Sequence, residues 1–231
     1  MLILALDTSS VSVSCALVED GATVASGFLN AKITHSATLM PMIENLFAAS
    51  GRKIGDVSMF AATSGPGSFT GVRIGASILL GLAFGKGLPC VGVSTLEVTA
   101  YPFSDREGVI VCPVMDARRG QFYNALFRDG RRLTEDRAIS AEDLDAQLRE
   151  LNAPVLLCGD GYALAAKLMP GREYVSPPDE LIYPQAANAA RIAARIYESA
   201  PDRSVFTDLN FKPVYLRPSQ AERVCKEKEN I

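Results

Sequence analysis

The sequence predicts an α/β protein made of two tandem copies of one β-β-β-α-β-α unit. When Asp7 is aligned with Asp116, the surrounding residues fall into register without gaps, and residues 2–6 lie over residues 111–115 as two apolar, strand-like runs. Each copy has an Asp-Gly pair 13 residues after its leading aspartate. An Asp-Gly pair between apolar runs is typical of a hairpin, because glycine accepts the positive φ of the turn.

A helix is predicted after the first three strands, over about residues 34–49, because apolar side chains recur there at helical spacing. Pro41 lies inside this span and is expected to kink the helix or to shift its start. Gly51 is expected to end it. Apolar runs at residues 57–62 and 90–93 are predicted to form buried strands.

The segment between those two strands contains four glycines and a proline within eleven residues, Gly65-Pro66-Gly67-Ser68-Phe69-Thr70-Gly71-Val72-Arg73-Ile74-Gly75. Such a composition indicates a tight turn or a very close approach of the backbone to a neighbour. Residues 76–85 are predicted to form a helix with no polar face, which must be covered on more than one side. It is either a core helix behind a turn or a helix that offers a surface to a partner.

The second half repeats this order. A helix is predicted over residues 140–151, opened by Ser140 as N-cap in a near capping box. A strand at 155–158, a short segment at 162–168 and an Ala-rich helix at 184–200 that begins with proline follow. Two such halves in tandem fit the actin/sugar kinase/Hsp70 superfold, with halves related to ribonuclease H and mixed sheets.

The predicted domains are residues 1–100 and a smaller, degenerate second half at 101–231.

The charge balance is 23 Lys and Arg against 26 Asp and Glu, a net charge of −3. Proteins that bind RNA tightly through phosphates are usually basic, so direct tight binding of RNA by this chain is not expected. Arginines at positions 118–137 alternate with acidic residues and are interpreted as a solvated surface.

The five cysteines are odd in number and include no Cys-x-x-Cys pair. Most lie in apolar runs, where a reduced cysteine acts as a small apolar residue, and this pattern favours a reducing cytoplasm. The apolar runs near the N-terminus and at residues 74–85 are too short for a signal peptide or a membrane span.

Six segments together carry a resemblance to a known family. They are the glycine motif at 65–75, Leu4–Ser9, Ala61–Ser64, Val91–Leu96, Asp116–Gly120 and Pro213–Arg217. The chain resembles the bacterial TsaB family over nearly its whole length. The resemblance implies the same superfold and a glycoprotease-like pseudo-enzyme. It further implies a dimerising subunit of the machinery that adds threonylcarbamoyl to N6 of adenosine 37, in tRNAs reading codons that begin with A.

The resemblance also implies partners. They are a TsaD-like catalytic subunit, a TsaE-like ATPase in the same complex, and a second copy of this chain when it is alone, with tRNA handled only indirectly. In TsaB two helices pack on the equivalent pair of TsaD. The contact is assigned by that resemblance to His35, Leu39, Met42, Ile43, Val72, Gly75, Ala76 and Leu79.

A degenerate nucleotide cleft is the second candidate site. In this superfold two Asp-led turns hold phosphates between the halves, so the candidates are Asp7, Thr8, Ser9, Asp116, Arg118, Gly159 and Gly161. Two bulky arginines follow Asp116, which argues against a backbone cradle there. The alternative is that these turns bind nothing and only connect one strand to the next strand or helix.

Catalytic and metal-binding residues are not predicted. TsaD holds its metal through a His-x-Glu-Gly-His motif, and at the corresponding place this chain has Thr95 and Thr99 as the outer residues. A threonine hydroxyl is a poor substitute for imidazole. His35 is the single histidine, so no histidine pair exists. The alternative is a self-sufficient ATPase, kinase or protease-like enzyme of the same fold, with Asp7, Thr8 and Asp116 handling phosphate and magnesium.

Overall fold

The computed structural model describes residues 1–31 and 33–217. Its first sheet and the helices that follow its strands are β1 (Leu2–Asp7), β2 (Val13–Glu19), β3 (Ala22–Leu29), α1 (His35–Ser50), β4 (Met59–Gly65), α2 (Phe69–Ala83), β5 (Cys90–Ser94) and α3 (Thr95–Ala100). The strand order is β3-β2-β1-β4-β5. The first three strands are antiparallel neighbours, whereas β4 and β5 run parallel to β1.

The second sheet has the same plan. Its elements are β6 (Ile110–Asp116), β7 (Gln121–Asn124), β8 (Phe127–Arg128), β9 (Arg131–Arg132), β10 (Arg137–Ser140), α4 (Ala141–Glu150), β11 (Val155–Cys158), α5 (Tyr162–Leu168) and β12 (Tyr174–Val175), and α6 (Ala186–Ser199) follows. The main order is β10-β7-β6-β11-β12, and β8 and β9 extend β6 as a hairpin. The antiparallel and parallel neighbours repeat those of the first sheet. This repetition confirms the predicted duplicated α/β fold.

Both predicted Asp-Gly hairpins form. Asp20 and Gly21 have φ values of 49° and 83°, and Asp129 and Gly130 have 50° and 71°. Left-handed residues at both central positions match the twist of a two-residue hairpin. Glu19 consequently pairs with Ala22 across the first turn, and Arg128 pairs with Arg131 across the second.

Helix α1 begins and ends close to its predicted bounds. It begins at His35, and Gly51 ends it in the left-handed conformation at φ 68°. The helix continues through Pro41, and its start is not shifted.

Helix α2 begins seven residues earlier than the predicted start at residue 76, and it ends at Ala83. The Ser68 side chain is the N-cap and accepts a hydrogen bond from the backbone N–H of Gly71 at 3.2 Å. The second half of the glycine motif is therefore helix rather than turn. The reason is that an N-cap serine satisfies the free N–H groups of a first helical turn.

Each face of the first sheet is covered by helices. Helices α1 and α2 pack on one face, around Leu4, Leu39 and Leu79. Helix α6 comes from the second part of the chain and packs on the other face, against Ile3 and Val91. Gln185 rather than Pro184 is its N-cap, so the proline lies just outside the helix. The division at residue 100 remains a prediction, and α6 crosses it to complete the first core.

Helices α4 and α5 pack on one face of the second sheet. Helix α4 was predicted from the sequence, and Ser140 is its N-cap as expected. Helix α3 lies between the two sheets. Its Leu96 contacts the second sheet's core, and its Val98 contacts the core shared with α6.

Cys15, Cys90, Cys112 and Cys158 are buried and reduced, and Cys225 lies outside the described residues. Among the helices that the structure describes, none combines the length and the apolar character needed to cross a membrane.

Candidate functional site

The two sheets face each other across a cleft of about 710 Å³. Strands β1 and β6 end at this cleft with Asp7 and Asp116, so the duplication brings the two Asp-led turns together. Of the predicted cleft residues, Ser9, Asp116 and Arg118 line it, and Asp160 does so as well.

Asp7 lies beneath the cleft and is fully buried. Its Oδ1 accepts hydrogen bonds from Ser9 Oγ at 2.5 Å and from Thr63 Oγ1 at 2.7 Å, and its buried Oδ2 has no partner. Burial raises the pKa of Asp7 to about 6, although the hydrogen bonds from Ser9 and Thr63 oppose this shift. The carboxylate is therefore a buried group of the first turn and not an exposed ligand.

The other polar groups of the first turn are also engaged within the chain. Thr8 Oγ1 donates to the Gly71 carbonyl at 2.7 Å. The Ser9 carbonyl accepts the backbone N–H of Ser68 at 2.7 Å. These contacts fasten the turn to the start of α2, so the predicted small-hydroxyl cradle at Thr8 and Ser9 is used for internal packing.

The second turn is built by two left-handed arginines. Arg118 and Arg119 have φ values of 67° and 57°. Asp116 Oδ1 accepts the backbone N–H of Arg118 at 2.7 Å, and its Oδ2 lies 3.2 Å from the Arg118 guanidinium. The Arg118 side chain is 82% exposed, so the turn presents an exposed cation to the cleft where a backbone cradle would need small residues.

The predicted glycine turn has a different role from the one assigned by position. Gly159 is left-handed at φ 89°, and a β-carbon there would collide with the Val114 carbonyl. The Gly161 N–H donates to the same carbonyl at 3.0 Å. Neither glycine lines the cleft. Both lie against Val114 of β6 and allow α5 to start there.

Asp160, between those glycines, is the cleft residue that sequence reasoning missed. Burial, and next the charge of Asp116, raise the pKa of Asp160 to about 6. Its position between two glycines at the end of β11 was the available signal. In the part of the chain that the structure describes, no group of three or more His, Cys, Asp or Glu side chains is placed to hold a metal ion.

The predicted partner contact on α1 and α2 needs correction for most of its residues. Six of the eight are buried in the chain's own core: Leu39, Ile43, Val72, Gly75, Ala76 and Leu79. Gly71 and Gly75 of α2 admit the first turn rather than another protein. A β-carbon at Gly75 would lie 2.5 Å from Thr8 Oγ1.

The other two predicted contact residues are half-buried. His35 Nε2 lies 2.9 Å from the Ser10 carbonyl, which places the histidine at the start of α1 in a local hydrogen bond. The Met42 methyl group lies 3.2 Å from the position of a β-carbon on Gly27, so Met42 packs on β3.

The exposed stripe of α2 and its C-cap is a different set of residues, which we call the outer face. It consists of Thr70, Arg73, Ser77, Gly81 and Phe84. The Phe84 side chain is 82% exposed, and a β-carbon at Gly81 would meet nothing within 4 Å. The three- and four-residue spacing of these positions was the sequence signal for this face.

Comparison with known proteins agrees with this architecture. The family model described as TsaD, tRNA N6-adenosine threonylcarbamoyltransferase, matches residues 29–200. The tRNA threonylcarbamoyladenosine biosynthesis protein TsaB of Escherichia coli K12 is 32% identical over 99% of this chain and 100% of its own length. The TsaB protein of Bacillus subtilis 168 is 34% identical over 73% of this chain and 75% of its own.

A solved structure is similar over the same span. YeaZ from Pseudomonas aeruginosa superposes with a TM-score of 0.77 at 26% identity and covers 93% of this chain and 99% of its own. The superposition thus includes both sheets, the cleft and the helices α1 and α2. The resemblance found in the sequence is confirmed: the chain belongs to the TsaB family.

Proposed function

We propose that this chain is the non-catalytic subunit of a complex that makes threonylcarbamoyladenosine in tRNA. The observation that carries the proposal is the match to the Escherichia coli TsaB protein along the full length of both chains. In this role the chain binds and activates a TsaD-like catalytic subunit in the cytoplasm. That partner transfers threonylcarbamoyl to N6 of adenosine 37.

The chemistry of α3 supports a subunit without its own catalytic metal. Thr95 and Thr99 are buried, and Thr99 Oγ1 donates to the Thr95 carbonyl at 2.8 Å. Both hydroxyls lie inside the protein where α3 packs between the sheets. Only the Thr99 hydroxyl is engaged in the helix, and a buried, neutral threonine hydroxyl is a poor metal ligand and a poor base at either position.

The outer face of α2 is the surface that we assign to the partner, in place of the buried stripe. Ser77 and Gly81 keep its relief low, and Phe84 adds an exposed aromatic side chain. Aromatic side chains are enriched among residues that dominate binding energy. The same face is proposed to form a homodimer when the chain is alone, and a TsaE-like ATPase is proposed to join the assembled complex.

Reconstitution of the tRNA modification from purified components tests the proposal. Modified adenosine in unmodified substrate tRNA is measured by mass spectrometry with this chain added or left out. We expect modification to depend on the chain when the TsaD-like and TsaE-like proteins are both present. Modification at an equal rate without the chain would refute the role.

The rival function is an enzyme that needs no partner. Asp160 and Asp116 in the cleft are the observation that favours it, since carboxylates at this cleft suit magnesium-bound phosphates. ATP turnover by the purified chain alone separates the two, because the subunit proposal expects turnover only with the partners present. Steady turnover that is lost in Asp160→Asn would favour the rival.

A further inference from the structure

The segment Pro213–Arg217 crosses the mouth of the cleft. Val214, Tyr215, Leu216 and Arg217 all line the cleft, although they follow α6 and the segment that packs along β5. Within residues 1–31 and 33–217, the chain otherwise passes between the sheets twice, after α3 at residues 101–109 and after β12 at residues 176–185. Residues 213–217 make a third connection, and this one is held by non-covalent contacts.

On the side of the first sheet the segment is held by its backbone. The Val214 N–H donates to the Ser64 carbonyl at the end of β4, at 2.7 Å. Gly65 is left-handed at φ 120°, and a β-carbon there would collide with the Val214 carbonyl. The glycine motif therefore makes room for this segment as well as for the first turn.

Tyr215 then fastens the segment to α2. Its ring lies 4.8 Å from the Phe69 ring, and its hydroxyl accepts a hydrogen bond from Arg73 Nε at 2.8 Å. The Arg73 guanidinium carbon lies 3.8 Å from the centre of the Phe69 ring. An arginine over an aromatic face adds an electrostatic attraction to this cluster.

Arg217 reaches across to the second sheet's turn. Its guanidinium donates to the Ala117 carbonyl at 2.5 Å and lies 3.5 Å from the Arg118 carbonyl. These carbonyls belong to the turn led by Asp116. Two residues after Tyr215 contacts α2, the same short segment thus contacts the opposite wall of the cleft.

We infer that Pro213–Arg217 is a latch that holds the two sheets closed over the cleft, with Tyr215 fixed on the first half and Arg217 on the second. Breaking either contact lets the cleft open by rotation about the two chain crossings. The latch goes beyond the proposed function, since it describes a control on the cleft whether or not a partner binds. A ligand or partner that displaces Arg217 from the turn opens the cleft.

The distance between the halves tests the latch. Spin labels are placed on cysteines introduced at exposed Asn45 on α1, outside the outer face, and at exposed Glu142 on α4 in the full chain, with Cys225→Ser as background. Electron–electron resonance then gives the distance distribution. We expect one narrow distribution in the otherwise unchanged chain, and a longer, broader one with Arg217→Ala.

Arg203→Ala is the matched control. Arg203 also lies over an aromatic ring, 5.1 Å from Tyr197, and donates to the Glu198 carbonyl, but both partners belong to α6. This variant is expected to leave the distance distribution unchanged. Arg217→Lys is expected to keep the cleft closed in most molecules. An Arg217→Ala distribution identical to that of the control overturns the latch.

If Arg217→Ala fails to fold by circular dichroism, Arg217→Met decides the question. It keeps a long side chain and removes the guanidinium that donates to the Ala117 carbonyl across the cleft. We expect a broader distribution for this variant. An unchanged distance would show that the segment does not hold the halves together.

Discussion

Gly75 of α2 lies directly against Thr8 of the first turn, so close that a β-carbon on Gly75 would lie 2.5 Å from Thr8 Oγ1. That hydroxyl also donates to the Gly71 carbonyl, one turn earlier on the same helix. The helix and the turn are therefore interlocked through the two glycines. The contact explains why glycine residues stand in a helix, where they are otherwise unfavourable.

Gly75→Ala is expected to lower the free energy of unfolding by about 1–3 kcal/mol, a typical cost of overpacking a core. The reason is that Thr8 cannot retreat without losing its hydrogen bond to Gly71. Urea denaturation followed by circular dichroism measures the loss. Gly81→Ala in the same helix is the control, because its β-carbon meets nothing within 4 Å.

The control variant is expected to be more stable than the unchanged chain by about 0.5–1 kcal/mol, from the higher helix propensity of alanine. Equal effects of the two substitutions would mean that Gly75 is not closely packed.

Asp7 predicts a pH dependence of stability. Its pKa is raised to about 6 in the folded chain from 3.8, so the folded state favours the protonated carboxyl. This group therefore stabilises the fold fully below pH 4, and its contribution is lost as the pH rises toward 6 and above. The loss is at most about 3 kcal/mol.

Asp7→Asn is expected to remove this part of the pH dependence, since the amide oxygen still accepts from Ser9 and Thr63 and no charge is buried. Urea unfolding between pH 4 and 7 tests it. We expect the variant to gain stability relative to the unchanged chain as the pH rises. Parallel stability curves would contradict the assignment of the raised pKa to Asp7.

Glu97 joins three elements through ion pairs. One carboxylate oxygen lies 3.1 Å from Arg132 on β9, and the other pairs with Arg195 on α6. Arg132 also pairs with Asp136 at 2.5 Å. Glu97→Gln is expected to lower the free energy of unfolding by about 1–2 kcal/mol, which lies between the values for exposed and for buried ion pairs.

The matched control is Glu19→Gln, which breaks a pair with Arg52 whose side chains are 36% and 42% exposed. It is expected to cost less than about 0.5 kcal/mol. Both values are measured by urea unfolding at low and at high salt. The same small cost for both variants would show that the Glu97 network does not connect the halves.

Ser77→Arg on the outer face is expected to abolish binding to the TsaD-like subunit and to leave the unfolding transition unchanged. A long cation in the middle of a low-relief face prevents close packing. Ser199→Arg, at an exposed serine on α6, is the control. Co-purification and light scattering measure binding, and equal binding by both variants would remove the outer face from the interface.

Much of the fold was predictable because its signals are local. The Asp-Gly pairs, the N-cap at Ser140 and the end of α1 at Gly51 each depend on neighbouring residues alone. Which side of α2 faces the core was not predictable in this way. Gly75 was assigned to a partner, but its neighbour is Thr8, far away in the sequence, and only the tertiary packing reveals that contact.

The cleft was predicted in part for the same reason. The duplication placed Asp7 and Asp116 at equivalent strand ends, and the structure brings both turns to the cleft. Whether a side chain at such a turn is open or buried depends on what packs over it. Thr63 and Ser9 cover Asp7, whereas Asp160 reaches the cleft between two glycines.

The position of α6 has a consequence for synthesis on the ribosome. Residues 186–199 cover one whole face of a sheet whose strands all lie before residue 95. While the intervening chain is being made, Ile3, Val91 and their neighbours have no covering helix, and exposed apolar strands aggregate readily. A fragment ending at residue 100 should accordingly precipitate on expression, whereas supplying α6 as a separate peptide should recover soluble material.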